Sequence, residues 1–327
     1  MSAAAMAVPA VVAIAVITLL RVSPLAARIV DRPGERSLHA VATPRFGGIG
    51  LMLGALPLVF LEGSQEIRLI GGAALLLALV SLVDDVRSLP VAVRLPCHLA
   101  AAAWAVGVAG PGAQSPGALA IAIAVVAVLA IAWMTNLYNF MDGADGLAGG
   151  MALIGFGALA FAAFRGGDAA LANASLALAA AAAGFLVFNF PPARVFMGDA
   201  GSVPLGFLAG ALGWLGAVRD VWPGWYPLLV FSPFIVDATV TLARRVARSE
   251  PFLQAHRAHC YQRLVLGGWS HRKLAVAAWG LMAAVAASAL VALGQRPAVQ
   301  GAIIFAWAIA YVALLLAVDR HNARASP

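Results

Sequence analysis

Charge is scarce in this sequence. Of its 327 residues 11% are charged and 63% hydrophobic, and the mean hydropathy is +0.93. A soluble chain of this size carries roughly a quarter charged residues to cover its surface. Lipid must cover most of this one, so the class is all-α polytopic integral membrane protein. Cysteine is scarcer: Cys97 and Cys260 alone exclude a disulfide framework, and both suit small packing positions. No zinc-type Cys/His spacing exists. No linker has the length and polarity of a soluble domain, so a single transmembrane domain over 1–327 is expected. The net charge of +7 could suit nucleic acid, but in a membrane chain excess arginine marks cytoplasmic loops. No nucleic-acid partner is expected. The first apolar run, "AAAMAVPAVVAIAVITLL", lacks a basic residue ahead of it. That is wrong for a cleaved signal peptide and right for a retained helix with its N-terminus outside.

What the chain does have is long apolar runs. A helix needs about 20 apolar residues to cross a ~30 Å hydrocarbon core. Runs near 4–22, 47–61, 68–83, 92–109, 118–137, 146–164, 169–188, 202–218, 226–243, 273–293 and 298–318 predict about eleven spans (10–11). With the N-terminus outside, the C-terminus is cytoplasmic. Basic residues agree: Arg68, Arg165, Arg219 and Arg296 fall in loops assigned outside, and the rest lie inside or at its border. The small residues of "GGIGLMLG" suit helix packing rather than a dinucleotide loop, since no strand precedes them.

Polar residues gather in five clusters, separated by pairs of spans and so on one face. The corresponding loops run near 28–46, 84–94, 136–146, 189–202 and 244–272. The outside turns, such as "GPGAQSPG" and "RGGD", are short and plain. In "SLVDDVRSLP", Asp84 and Asp85 end a span; the bland reading is a solvated helix end. "NLYNFMDGADGLAGG" holds Asn136, Asn139, Asp142 and Asp145, each like pair at i, i+3 and on one face if helical. It lacks the later ligands of a calcium loop. In "NFPPARVFMGDAGSVPLG", Asp199 and Ser202 precede a span whose first N–H groups would favour an anion such as phosphate. The default reading of Ser202 at such a position is an N-cap. Arg194 offers a planar fork to a phosphate oxygen. "PFLQAHRAHCYQRL" carries His256, Arg257, His259, Tyr261, Gln262 and Arg263, either a headgroup-anchoring basic loop or a polar surface for a sugar nucleotide.

Crowded carboxylates repel unless a cation lies between them. Oxygen ligands with open positions describe Mg²⁺ or Mn²⁺. A metal, arginines and helix N-termini are the parts phosphoryl transfer uses. The rival is an ion-coupled secondary transporter, whose acids would lie near the bilayer midplane in two related halves. Here the acids sit at span ends on one face, with no convincing internal repeat.

The stretches "DRPGERSLHAVATPRFGG", "DDVRSLP", "NLYNFMDGADGLAGG", "PARVFMGDAGSVPLGF", "PFIVDATVTLARR" and the histidine loop, in this order over about residues 30–265, resemble the polyprenyl-phosphate N-acetylhexosamine-1-phosphate transferases, the WecA/MraY-like family. The resemblance implies transfer of a sugar 1-phosphate from a UDP-N-acetylhexosamine to undecaprenyl (polyprenyl) phosphate, with release of UMP and use of Mg²⁺. It implies a multi-pass protein of the bacterial cytoplasmic membrane, with its active site facing the cytoplasm, and admits a homodimer. By the same resemblance Asp199 matches the metal ligand. Asp84 and Asp85 match the acidic pair beside the metal, with Asp84 the candidate to deprotonate or orient the lipid phosphate. Asn136, Asn139, Asp142, Asp145, Arg194, Gly198, Ser202 and Arg45 fall to substrate binding, as do His256, Arg257, His259 and Gln262. The last loop reads "HRAHCYQR", as in WbpL-like members, which are associated with O-antigen initiation and with 6-deoxy donors such as UDP-N-acetylfucosamine or UDP-N-acetylquinovosamine beside UDP-N-acetylglucosamine.

Overall fold

A computed structural model of the chain describes residues 3–27, 29–34, 38–39, 41–110, 117–250 and 256–325. Parts of the expected loops 28–46 and 244–272, and nearly all of the "GPGAQSPG" turn, lie outside the described residues. The described residues are mainly helical: α1 Ala3–Val22, α2 Gly47–Glu62, α3 Gln65–Arg87, α4 Val91–Ala109, α5 Ala118–Phe140, α6 Leu147–Arg165, α7 Ala169–Asn189, α8 Asp199–Val218, α9 Trp225–Val230, α10 Ser232–Ala247, α11 Cys260–Leu266, α12 His271–Leu293 and α13 Pro297–Ala325. One two-stranded ribbon, β1 Val30–Asp31 with β2 Thr43–Pro44, pairs antiparallel before α2. Among the described residues, eight helices are long and apolar enough to cross a membrane, and α1 and α2 contribute two shorter apolar ones.

The expected continuous span over 226–243 is corrected. It divides into α9 and α10 at Phe231, and Pro233 follows. Proline has no N–H to offer the carbonyl four residues back, which here is that of Leu229. The Ser232 hydroxyl donates to the Leu229 carbonyl at 2.7 Å and meets the Tyr311 hydroxyl at 2.6 Å. A backbone group freed within lipid is thereby satisfied internally, as a bilayer demands.

The buried centre of the bundle is α6, α7 and α8, whereas α13 lies at the periphery, with Tyr311 buried against the bundle and most of its other apolar side chains facing outward. Lipid is as apolar as leucine, so helices associate here by close packing of small residues. The tightest approach joins α2 to α8: a side chain added at Gly48 would collide with the Gly201 backbone, and one at Gly201 with Gly48 Cα. Beside it the Gly47 and Gly48 amides donate to the Phe196 and Met197 carbonyls at 2.9 and 2.8 Å. These bonds fix the start of α2 against the turn entering α8.

Consecutive spans run antiparallel, so the C-terminal ends of α3 and α5 meet the N-terminal ends of α4 and α8. The opposite end is closed by Arg219, which donates to Asp168 (2.7 Å), Ser64 (2.7 Å) and Glu66 (2.9 Å). That clasp joins α3, α7 and α8 at the end remote from the acidic pair.

Candidate active site

Asp84 and Asp85 occupy the last turn of α3, and both are buried. Their neighbours differ. Asp84 Oδ1 accepts from the Leu89 amide at 2.5 Å, and Oδ2 accepts from Arg94 Nη1 at 2.9 Å. Asp85 Oδ1 accepts from the Asp199 amide at 3.2 Å, and Oδ2 from the Ala200 amide at 3.1 Å. Arg45 reaches the same place, with Nε 3.6 Å from Asp85 Oδ1 and Nη2 donating to the Asp85 carbonyl.

This arrangement corrects one expectation. The N-terminus of α8 is not open to an external anion, because Asp85 already occupies it. A carboxylate at that end satisfies orphan donors and meets the positive pole of the helix dipole. The next two amides, of Gly201 and Ser202, donate to the Gly198 carbonyl. Gly198 itself stands at φ 75°, with the Arg45 carbonyl 2.6 Å from where a Cβ would be. Only glycine tolerates both conditions without strain. Ser202 is likewise not the N-cap, since it lies within α8 and its hydroxyl donates to Asn139 Oδ1 at 2.7 Å.

Asp199 shares its Oδ2 between Asn139 Nδ2 (3.4 Å) and Arg94 Nη1 (3.7 Å). Arg94 therefore bridges Asp84 and Asp199, while the Nε atoms of both Arg45 and Arg94 are buried without an acceptor. These residues line a polar cavity of about 880 Å³, with Asp31, Arg32, His39 and Ser88, and with Gly143, His256 and Gln262 opposite.

The run 141–146 is a turn rather than a helix, so Asp142 and Asp145 do not share a helical face. Half-buried Asp142 is pushed well above the ordinary carboxylate range, first by burial and then by the charges of Asp199, Asp85 and Asp31. Asp145 points elsewhere: Oδ2 accepts from the Ala193 amide at 2.9 Å and Oδ1 meets His271 Nδ1 at 3.1 Å. His271 Nε2 lies 3.2 Å from the Leu38 carbonyl. Asp145 thus joins three loops outside the cavity lining. Asn136 pairs with His98 between α5 and α4 at 3.2 Å, and also lies outside that lining. Arg194 is exposed, donates to the Val187 carbonyl and stacks over Phe188. It lies outside the lining of this cavity.

In the histidine loop, His256 and Gln262 face the cavity. Burial, with help from His259 and Arg245, pushes the His256 imidazole down to about 4, so it is neutral at pH 7. His259 is buried behind it, its ring against those of His256, Tyr261 and Phe140. Arg257 is exposed and outside the lining. The Tyr261 hydroxyl donates to the Phe140 carbonyl at 3.0 Å. It occupies the space a side chain at Gly143 would need, which couples the α5–α6 turn to the histidine loop.

The chain is similar in sequence to known proteins. The profile described as glycosyl transferase family 4 matches residues 67–217. A probable undecaprenyl-phosphate N-acetylglucosaminyl 1-phosphate transferase of Bacillus subtilis is 30% identical over 277 residues, 79% of this chain and 77% of that protein. The chain belongs to glycosyl transferase family 4. A decaprenyl-phosphate N-acetylglucosaminephosphotransferase of Mycolicibacterium smegmatis is 32% identical, covering 86% of this chain and 81% of its own. A phospho-N-acetylmuramoyl-pentapeptide-transferase of Synechococcus is 31% identical, covering 81% and 80%. The family segment contains Asp84, Asp85, Arg94 and Asp199, while Arg45 and the histidine loop lie outside it.

For this family 4 chain, reasoning on the sequence overlooked Arg94 and His271. Each is a single basic residue near a span end, and nothing local separates it from a membrane-edge cation. Asp31 was legible only as part of a polar cluster, and Asp237 as one letter of a matching stretch.

Proposed function

We propose that the chain transfers the sugar 1-phosphate of a UDP-N-acetylhexosamine to undecaprenyl phosphate, releasing UMP and beginning a lipid-linked cell-surface glycan such as O-antigen. The observation that carries this reading is the polar cavity at the ends of α3, α4 and α8, where Asp84 and Asp199 stand beside two arginines whose Nε hydrogens have no acceptor. Buried donors without partners are costly, and phosphate oxygens are the acceptors that suit a guanidinium. The names of the similar proteins, which specify polyprenyl phosphates as acceptors, support the same class.

In this reading an oxygen of the lipid phosphate attacks the β-phosphorus of the nucleotide, and the bond to the bridging oxygen breaks so that UMP leaves. Asp84 takes the acceptor's proton or orients its phosphate, because its two contacts leave carboxylate lone pairs free. Arg94 and Arg45 neutralise the phosphates. Asp85 sets the turn that presents Asp199. His256 and Gln262 meet the sugar-nucleotide side. Holding both substrates in line is worth as much as ~7–11 kcal/mol.

Mg²⁺, with Mn²⁺ as a substitute, fits the donor set. The acids at the cavity offer only oxygen, and the charges of Asp199, Asp85 and Asp31 add to burial in pushing Asp142 above the ordinary carboxylate range. Among the described residues no group of three or more His, Cys, Asp or Glu surrounds one point. Mg²⁺ is usually held by one or two carboxylates together with substrate phosphate and water; here Asp199 would serve with Asp84, while both Asp85 oxygens are taken by the α8 amides. When bound, the ion supplies positive charge against the diphosphate.

Counting α9 with α10 as one interrupted span, we place about eleven spans in the bacterial cytoplasmic membrane, with the cavity and C-terminus on the cytoplasmic side. The test is UMP release by purified protein with undecaprenyl phosphate and UDP-linked N-acetylglucosamine, N-acetylfucosamine or N-acetylquinovosamine, with Mg²⁺ or EDTA. Lipid- and Mg²⁺-dependent UMP from one donor supports the reading and names the sugar. Folded protein that releases none from any donor rejects it.

A further inference from the structure

A carboxylate buried away from any cation is expensive unless hydrogen bonds satisfy it. Asp237, on α10, is 9% exposed, and among the described residues no arginine or lysine forms an ion pair with it. Its partners lie on another element. Oδ1 accepts from the Cys260 amide at 2.8 Å, and Oδ2 from the Tyr261 amide at 3.2 Å. Those are the first two amides of α11, a helix of 7 residues. So short a helix does not persist on its own, and its leading N–H groups need acceptors. Thr241, one turn further along α10, donates its hydroxyl to Oδ1 at 3.2 Å. Burial and the Asp237 charge together push the adjacent Cys260 thiol up to about 12.

The consequences reach the cavity. His259 Nδ1 lies 3.5 Å from Asp237 Oδ1 and has no hydrogen-bond partner. The His259 amide donates to Gln262 Oε1 at 3.3 Å, and its ring stands 5.0 Å from that of His256. Among the described residues of this loop, His256 and Gln262 line the cavity. We infer that Asp237 is a positioning residue, which pins the start of α11 to α10 and so presents His256 and Gln262 to the sugar-nucleotide donor.

The donor half rests on the transferase reading; the pinning of α11 does not. Asp237→Asn keeps the size but replaces one acceptor by an NH₂ facing an N–H. By amide hydrogen exchange, residues Cys260 and Tyr261 should exchange about tenfold faster or more, the expected loss of a hydrogen bond to a charged group. In kinetics, the donor KM should rise about tenfold while kcat and the undecaprenyl phosphate KM stay within about twofold, since only ground-state placement is disturbed. Unchanged exchange in folded Asp237→Asn overturns the pinning. A fall in kcat at unchanged donor KM overturns the link to the donor. Should that variant fail to fold, Asp237→Ser, whose hydroxyl is too short to reach α11, is read by the same two measurements. Wild-type protein without transfer activity would overturn the donor half along with the transferase reading, while the exchange result still decides the pinning.

Discussion

Asp85 and Asp199 are adjacent acids that the geometry assigns to different tasks, and paired neutralisations separate them. In Asp85→Asn the amide keeps one acceptor for the α8 backbone and presents NH₂ to the other N–H. One charge-assisted hydrogen bond is lost, about 1.5–3 kcal/mol, with about 0.3–2 kcal/mol of interaction with the helix dipole. Because the Asp85 side chain is 1% exposed, water cannot replace it, so a local loss of about 2–5 kcal/mol is expected. Asp199 moves with its own backbone, and a misplacement of about 1 Å costs about 100-fold in rate. Asp199→Asn loses a carboxylate that stands beside Asp84 with Arg94 Nη1 between them, and its side chain is 26% exposed. It should lose UMP release with little or no loss of thermal stability. Asp85→Asn should lose both activity and several degrees in Tm. The assays are UMP release under saturating substrates and thermal unfolding in detergent. Two variants with equal Tm would refute the assignment of Asp85 to the α8 turn, and near-normal turnover in Asp199→Asn would refute Asp199 as a metal ligand.

Arg94→Ala should lower kcat by at least about 100-fold, comparable to losing one preorganised charged donor, and Arg94→Lys should recover only part of it, because an ammonium can stand between Asp84 and Asp199 but has no equivalent of the acceptor-free Nε hydrogen that the guanidinium keeps for a phosphate oxygen; full activity in either would remove Arg94 from the mechanism. His256 sits below its ordinary range, so the unfolded chain binds its proton first. Its favourable contribution is present above about pH 6.5 and is lost as pH falls toward about 4. The wild-type Tm should therefore drop more between pH 7.5 and 5 than that of His256→Gln, and parallel drops would contradict the neutral imidazole. Gly143→Ala must displace the Tyr261 hydroxyl from its place against Phe140; donor KM should rise with Tm reduced, and unaltered kinetics would uncouple the turn from the histidine loop.

Most of the site was legible because its acids are anomalous in an apolar chain. Asp84, Asp85 and Asp199 stand out at span ends, and the alternation of antiparallel spans places them on one face. What escaped depends on local backbone or on distance. Asp142 and Asp145 have helical spacing, yet Gly146 takes φ 73° and the chain turns, sending Asp145 to Ala193 and His271. Arg194 looks like a phosphate fork, but the carbonyl of Val187 and the ring of Phe188 lie nearer. Proline at 233 reads as a plain span residue until Ser232 and Tyr311 are seen completing the break.

The sequence by itself determined the membrane class, the approximate spans and the clustering of acids at one end, because hydropathy, charge placement and the bilayer's thickness act on each segment alone. Only the tertiary structure decided which side chain does what. That Asp85 caps α8, that Arg94 lies between two aspartates, and that Asp237 holds α11 all depend on how closely helices approach. Small residues such as Gly48 and Gly201 set that distance, and it brings together groups far apart in the chain.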